Sequence, residues 1–216
     1  MAVSKRKKFQ IVSVIVLFLL GGFIFYKYFP EIWGDAVYPL AYQDQILTSA
    51  NEFHLQRNLI AAVIYVESHF NPTAGSGAGA RGLMQLMPPT ARGVAKQIGI
   101  TDYTDDKIYD PTINIRLGSA YLRSAIDSRN GNIDVALANY NGGPGVAGNF
   151  EIAMDRSTLP RETDRYIRSV KGAWEAYDKI YGTDWQGPTK PFEAPKETSF
   201  ISQINIKNLL NVFFNK

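Results

Sequence analysis

The apolar run Phe9 to Tyr26 (FQIVSVIVLFLLGGFIFY) constrains the fold of this chain more than any other feature. It contains no charged side chain and only two breaks in hydrophobicity early on, Gln10 and Ser13. Continued to Phe29 it reaches roughly 20 residues, about the length that crosses a bilayer as a helix. A helix satisfies its own backbone hydrogen bonds where no water is available. Lys5, Arg6, Lys7 and Lys8 precede the run, and basic residues favour the cytoplasmic side. A cleaved signal peptide is the alternative. Its apolar core is usually shorter and ends in a small-x-small site, whereas Phe23-Ile24-Phe25-Tyr26 follow the glycine pair here. The expectation is a basic cytoplasmic segment over 1–8, a single-pass transmembrane anchor over 9–29 in the cell membrane, and a body outside the cytoplasm after a linker over 30–37.

This division explains the charge. The 216-residue chain has a formal net charge of +3. Lys5 to Lys8 and Lys27 all precede the first acidic residue; without these five, 18 basic residues face 20 acidic ones, a net of −2. The body therefore lacks the surplus of positive charge that a nucleic-acid partner requires. Absence of cysteine excludes disulfides and a thiolate nucleophile. His54 and His69 lack metal-ligand spacing, and the aspartates over 102–110 match no calcium loop. No cofactor is called for.

The body reads as helices without strand alternation or internal repeat. A first helix is expected from Tyr42 to Ala50, with Tyr42, Ile46 and Ala50 inward. Asn58 is expected to cap a second, which stops at Asn71 because Pro72 disfavours helical geometry before it. Pro88-Pro89 opens a third, ended by Gly99. Asp110-Pro111 opens a fourth, to about Ser128. Asp134 is expected to cap a short fifth ending near Tyr140. A long last helix runs from Glu162 to Tyr181, with Ile167, Val170, Trp174 and Tyr177 on one face. The fold class is all-α: a helical globular domain over 38–182 with its cleft between helices.

Within the second helix, Glu67 has Ile64, Val63 and Ile60 three, four and seven residues before it, all on its own face. A carboxyl in an apolar stripe is partly desolvated, which raises its pKa and suits it to act as a general acid near neutral pH. A solvated helix Glu at the core's rim is the alternative. The following loop combines Gly75, Gly77, Gly79 and Gly82 with an apolar run, Leu83, Met84, Leu86 and Met87, interrupted by Gln85. The apolar run pins the loop to the core. It should also hold the Gln85 amide in place as donor and acceptor for a sugar hydroxyl or N-acetyl group.

Glu67-Ser68 followed by Gly82-Leu83-Met84-Gln85 resembles the catalytic domain of soluble-type lytic transglycosylases, relatives of goose-type lysozyme. Three further motifs follow in family order: Asn114 to Leu122 (N-x-x-x-G-x-x-Y-L), Asn139 to Gly145 (NYNGGPG) and Glu162 to Ile167 (ETDRYI). Asn139 and Gly142 stand where the family's pattern has Ala. The resemblance implies a lysozyme-like fold and peptidoglycan glycan strands as partner. It implies Glu67 as the catalytic acid and base, which cleaves the MurNAc–GlcNAc β-1,4 bond with closure of a 1,6-anhydroMurNAc ring. It also implies substrate binding by Ser68, Met84, Gln85, Tyr140, Asn141, Glu162 and Tyr166. For three of these the residues alone allow a structural role: Ser68 as a local backbone cap, Tyr140 as core, Glu162 as a charge favourable to the helix dipole. A muramidase of the same fold and a non-catalytic glycan-binding module are the alternative functions. The first needs a second acid to activate water; intact Glu67 argues against the second.

The tail divides again. Pro188, Pro191 and Pro195 mark a linker over 183–198. Over 199–216, Ile206, Leu209, Leu210, Phe213 and Phe214 form one apolar helix face. This segment is expected to dock on the body, with the membrane surface or an unidentified protein partner as alternatives.

Overall fold

The computed structural model describes residues 5–183 and 185. Its α-helices are α1 (Lys5–Val37), α2 (Gln43–Phe53), α3 (Arg57–Ser68), α4 (Pro88–Gln97), α5 (Pro111–Asp127), α6 (Ile133–Ala153) and α7 (Arg161–Tyr181). Short 3-10 turns lie at Asp105–Tyr109 and Arg156–Thr158. Among the described residues extended pairing is confined to isolated bridges, Gly75 with Arg81 and Arg81 with Leu86. The all-α expectation holds.

α1 contains the whole run expected to be apolar and helical, and continues through 30–37, which the sequence reading made a linker. Pro30 does not end it. Among the described residues no helix is long and apolar enough to cross a membrane. The side chains described in α1 are Arg6, those of 12–25, and Ala36 and Val37. They include Leu17, Phe18, Leu19 and Phe23, all at least 64% exposed.

α3 is the central helix. Leu59 to Ile64 are buried without a break, so it is enclosed on all sides instead of presenting one stripe. It lies along α7, and α2, α5 and α6 complete the packing around them. Two apolar clusters result. The larger joins α2, α3, α5, α6 and α7; the smaller gathers Leu86, Ala91, Val94, Ala95, Ile108, Leu117 and Ala120 beneath α4. Tyr140 packs against both, so the boundary between the two lobes runs past its ring.

Caps follow the sequence in some places and not in others. Asp110 accepts the Ile113 N–H at 2.9 Å and starts α5 with Pro111. Asn58 is no cap: it lies inside α3, where its amide donates to Asp178 at 2.6 Å and to the Gly182 carbonyl at 2.8 Å. Its oxygen accepts the Trp185 indole N–H at 2.6 Å. α3 thereby fastens the end of α7 and the chain beyond it. The α6 cap is Asn132, through the Val135 N–H at 3.2 Å. Asp134 instead pairs with Arg156 and Lys171. α6 does not stop near Tyr140 but bends at Gly143 (φ 81°, ψ 174°) and runs on. Thr183 and Trp185 apart, the linker expected over 183–198 and the amphipathic segment over 199–216 lie outside the described residues.

Candidate active site

α3 ends immediately after Glu67-Ser68, because His69 (φ 51°) and Phe70 (φ 61°) both take left-handed conformations. The Phe70 side chain is buried and anchors the turn. Glu67 thus occupies the last turn of a helix, where the dipole is negative and disfavours a carboxylate. Burial raises its pKa from 4.5 to about 7, and the Tyr166 hydroxyl acts against that rise. Among the described residues no neighbouring carboxylate contributes to the shift.

Two tyrosines face this carboxyl. Tyr140 and Tyr166 are each raised well above the ordinary phenol range, first by burial and then by the charge of Glu67. The Tyr140 hydroxyl donates to the Met84 carbonyl at 2.9 Å, so only its oxygen lone pairs remain for another partner. The Tyr166 hydroxyl is buried and completes no bond of normal geometry. It is nonetheless close enough to Glu67 to lower its pKa. The two groups make a loose contact, and this leaves Tyr166 as an uncommitted donor beside the acid.

The loop over 71–87 is built to hold its shape. Arg81 and Leu86 exchange backbone bonds at 3.0 Å, and the Gly82 N–H reaches the Ala74 carbonyl at 2.8 Å. Asn114, fully buried in α5, accepts the Met84 N–H at 2.7 Å and donates to the carbonyls of Ile108 at 2.7 Å and Arg81 at 3.2 Å. A Cβ at Gly82 (φ 77°) would lie 2.3 Å from the Asn114 amide nitrogen, and one at Gly118 would lie 2.3 Å from the Met84 sulfur. Both glycines are therefore required by close approach. Ser68 completes the mount from the other side by donating to the Leu83 carbonyl at 2.8 Å and that of Ile64 at 3.1 Å.

These contacts redistribute the expected substrate-binding roles. Glu67, Tyr140 and Tyr166 come together. Met84 is fully buried against Gly118, so its side chain supports the loop and cannot touch substrate. Ser68 clamps the loop to α3. Gln85 takes a left-handed conformation (φ 45°) and commits its amide nitrogen to the Ala74 and Gly82 carbonyls, at 3.1 and 2.9 Å. Its oxygen alone is left for a ligand. Asn141 is exposed at the bend of α6. Gly142 beside it approaches Thr163 in the first turn of α7. Glu162, in that turn, is exposed while Tyr166, one turn on, is buried. Tyr121, whose ring lies 5.1 Å from that of Tyr140, is a neighbour of the site not named among the expected substrate-binding residues; the Tyr of its N-x-x-x-G-x-x-Y-L motif was the available signal.

A family model, the transglycosylase SLT domain, matches residues 44–157. The chain belongs to that family. A transglycosylase of Enterobacteria phage PRD1 is 42% identical over 108 residues, which cover 50% of this chain and 37% of the phage protein. The soluble lytic murein transglycosylase of Salmonella typhimurium is 33% identical over 163 residues, 70% of this chain and 25% of that one. Among solved structures, an inactive Glu-to-Gln mutant of the lytic transglycosylase Slt from Pseudomonas aeruginosa has a TM-score of 0.62 at 32% identity. That match covers 70% of this chain and 27% of the solved one. The chain thus spans between 25% and 37% of the length of these relatives. All five motifs lie in the matched region or just beyond it, and the loop over 71–87, with Ser68, Asn114 and Gly118, explains three of them as one interlocked mount.

Proposed function

We propose that this SLT domain cleaves peptidoglycan as a lytic transglycosylase, at the MurNAc–GlcNAc β-1,4 bond. The observation that carries the proposal is a partly buried carboxyl between two tyrosines, with a pKa of about 7 and, among the described residues, no carboxylate partner. A hydrolase of the usual kind needs two carboxyl groups; one group that is protonated at rest and ionised in mid-reaction suits internal attack. Protonated Glu67 gives its proton to the glycosidic oxygen as the bond to C1 of MurNAc breaks. The Tyr140 oxygen offers a dipole to the developing positive charge, and Tyr166 is the donor able to hold the ionised carboxylate. Glu67 then takes the proton of the same sugar's 6-hydroxyl while that oxygen bonds to C1. The proton returns to Glu67, water is not consumed, and the strand ends in 1,6-anhydroMurNAc. Such an internal attack gains from proximity, by about 7–11 kcal/mol in well-oriented cases. Gln85 through its oxygen, with exposed Asn141 and Glu162, binds the flanking sugars. Glu67→Gln keeps shape and hydrogen bonding but cannot give a proton, and it should lower the rate of peptidoglycan clearance about 10²- to 10⁴-fold. A variant that clears at the wild-type rate would refute the assignment.

We also propose that residues 9–29 anchor the domain in the cell membrane, with the N-terminus cytoplasmic and the SLT domain outside. Support comes from the helical backbone of α1 and its exposed large apolar side chains, Phe18 at 83% among them. The four basic residues before the run add to it. A membrane-bound lytic murein transglycosylase C of Yersinia enterocolitica is 36% identical over 113 residues, 48% of this chain and 32% of that protein. Its name gives the same association for a relative.

A further inference from the structure

One guanidinium straddles the bend of α6. Arg129 lies in the turn between α5 and α6 with a side chain 17% exposed. Its Nη1 donates to Glu151 at 2.8 Å, and its Nη2 reaches the Asn139 side-chain oxygen at 3.4 Å and the Pro144 carbonyl at 3.3 Å. Asn139 precedes the bend, Pro144 follows Gly143 within it, and Glu151 lies two turns beyond. Both arms of the helix and the bend are therefore tied to one rigid planar group. The remaining nitrogen, Nε, is buried with no partner, a cost that a freely solvated surface arginine does not carry.

The helix itself supplies little to fix this angle. Gly143 leaves helical geometry, and Pro144 has no N–H to continue the ladder. Directly before the bend stand Tyr140, bonded to the loop carbonyl of Met84, and the exposed Asn141. Asn139, which stands where the family's pattern has Ala, provides an acceptor that Ala lacks. We infer that Arg129 is a positioning residue: by bracing the bend of α6 it sets Tyr140 and Asn141 in register with Glu67. This rests on the proposed transglycosylase reaction.

The test is steady-state kinetics of the full-length protein in detergent on purified, uncrosslinked glycan strands. Wild type, Arg129→Lys, Arg129→Met and Asn139→Ala are compared, with folded fraction measured by circular dichroism. Lysine keeps a charge for Glu151 but presents one ammonium in place of a fork. Arg129→Lys and Arg129→Met should lower kcat about tenfold with KM changed less than about threefold, since small misplacements at a reacting centre are costly. Asn139→Ala, with the Glu151 pair intact, should lower kcat by about threefold. Wild-type kcat in Arg129→Lys would reduce Arg129 to a simple ion pair and overturn the inference. A fall in rate that only tracks the folded fraction would do the same. Wild-type protein that leaves the strands intact would overturn both this inference and the proposed function beneath it.

Discussion

Glu67 was legible in the sequence because its neighbours three, four and seven residues back are apolar, and a helix puts them on its face. Its raised pKa has a thermodynamic consequence. The folded protein favours the protonated form, so its stability advantage is complete below the ordinary carboxyl value of 4.5 and is lost as pH rises through about 7. Glu67→Gln should therefore match wild type in stability near pH 4 and exceed it at pH 8 by on the order of 3 kcal/mol. Urea unfolding at the two pH values checks this, and equal stability at both would show that the carboxyl is not desolvated. As the proton donor ionises, kcat/KM should fall above about pH 7. The sequence did not show that the Met84 side chain is buried or that the Gln85 amide nitrogen is committed, which leaves only the Gln85 oxygen for a ligand. Residue type and spacing gave the loop's apolar content but not which atoms its own backbone consumes. The glycines of the mount provide a second check. Gly82→Ala adds a Cβ at 2.3 Å from Asn114 in a left-handed backbone, and should destabilise by about 1–3 kcal/mol or more. Gly77→Ala, with open space around it, should be nearly neutral in thermal unfolding.

At the level of elements, starts were easier to read than ends. Asp110-Pro111 specified the start of α5 because both capping rules apply within two residues. The end of α6 was placed too early: Gly142-Gly143-Pro144 reads as a break. Proline is tolerated in the first turn of a helix, however, and Gly143 absorbs the one non-helical conformation, so the same residues make a bend. Asn58 was read as a cap from local chemistry, whereas its three partners lie 120 or more positions away. No local rule could supply them. Trp185 completes that staple, with its carbonyl accepting from Arg57 and its ring 5.8 Å from the Arg57 guanidinium. Trp185→Ala leaves the buried Asn58 oxygen unpaired and should cost about 1–3 kcal/mol. A melting temperature equal to that of wild type would show that the chain beyond α7 adds nothing to the body.

For the whole molecule, the two apolar clusters meet at Tyr140, whose phenol feels the charge of Glu67; under the proposed function this boundary is where a glycan strand reaches the acid. The helical class and the order of the motifs were legible, since both depend on local pattern. The interlock of loop, α5 and α3 was not, since it depends on atoms meeting across the fold. Full-length protein should pellet with membranes and keep Lys5 to Lys8 at its mature N-terminus; N-terminal sequencing that begins beyond Tyr28 would show a cleaved signal instead. The central claim is that one carboxyl, without a second acid to activate water, cuts the strand by internal attack. Mass spectrometry of the fragments released from purified sacculi tests this most directly. The account predicts fragments ending in 1,6-anhydroMurNAc, each lighter by one water than a hydrolytic product. Fragments dominated by reducing MurNAc ends would contradict it and make the protein a muramidase.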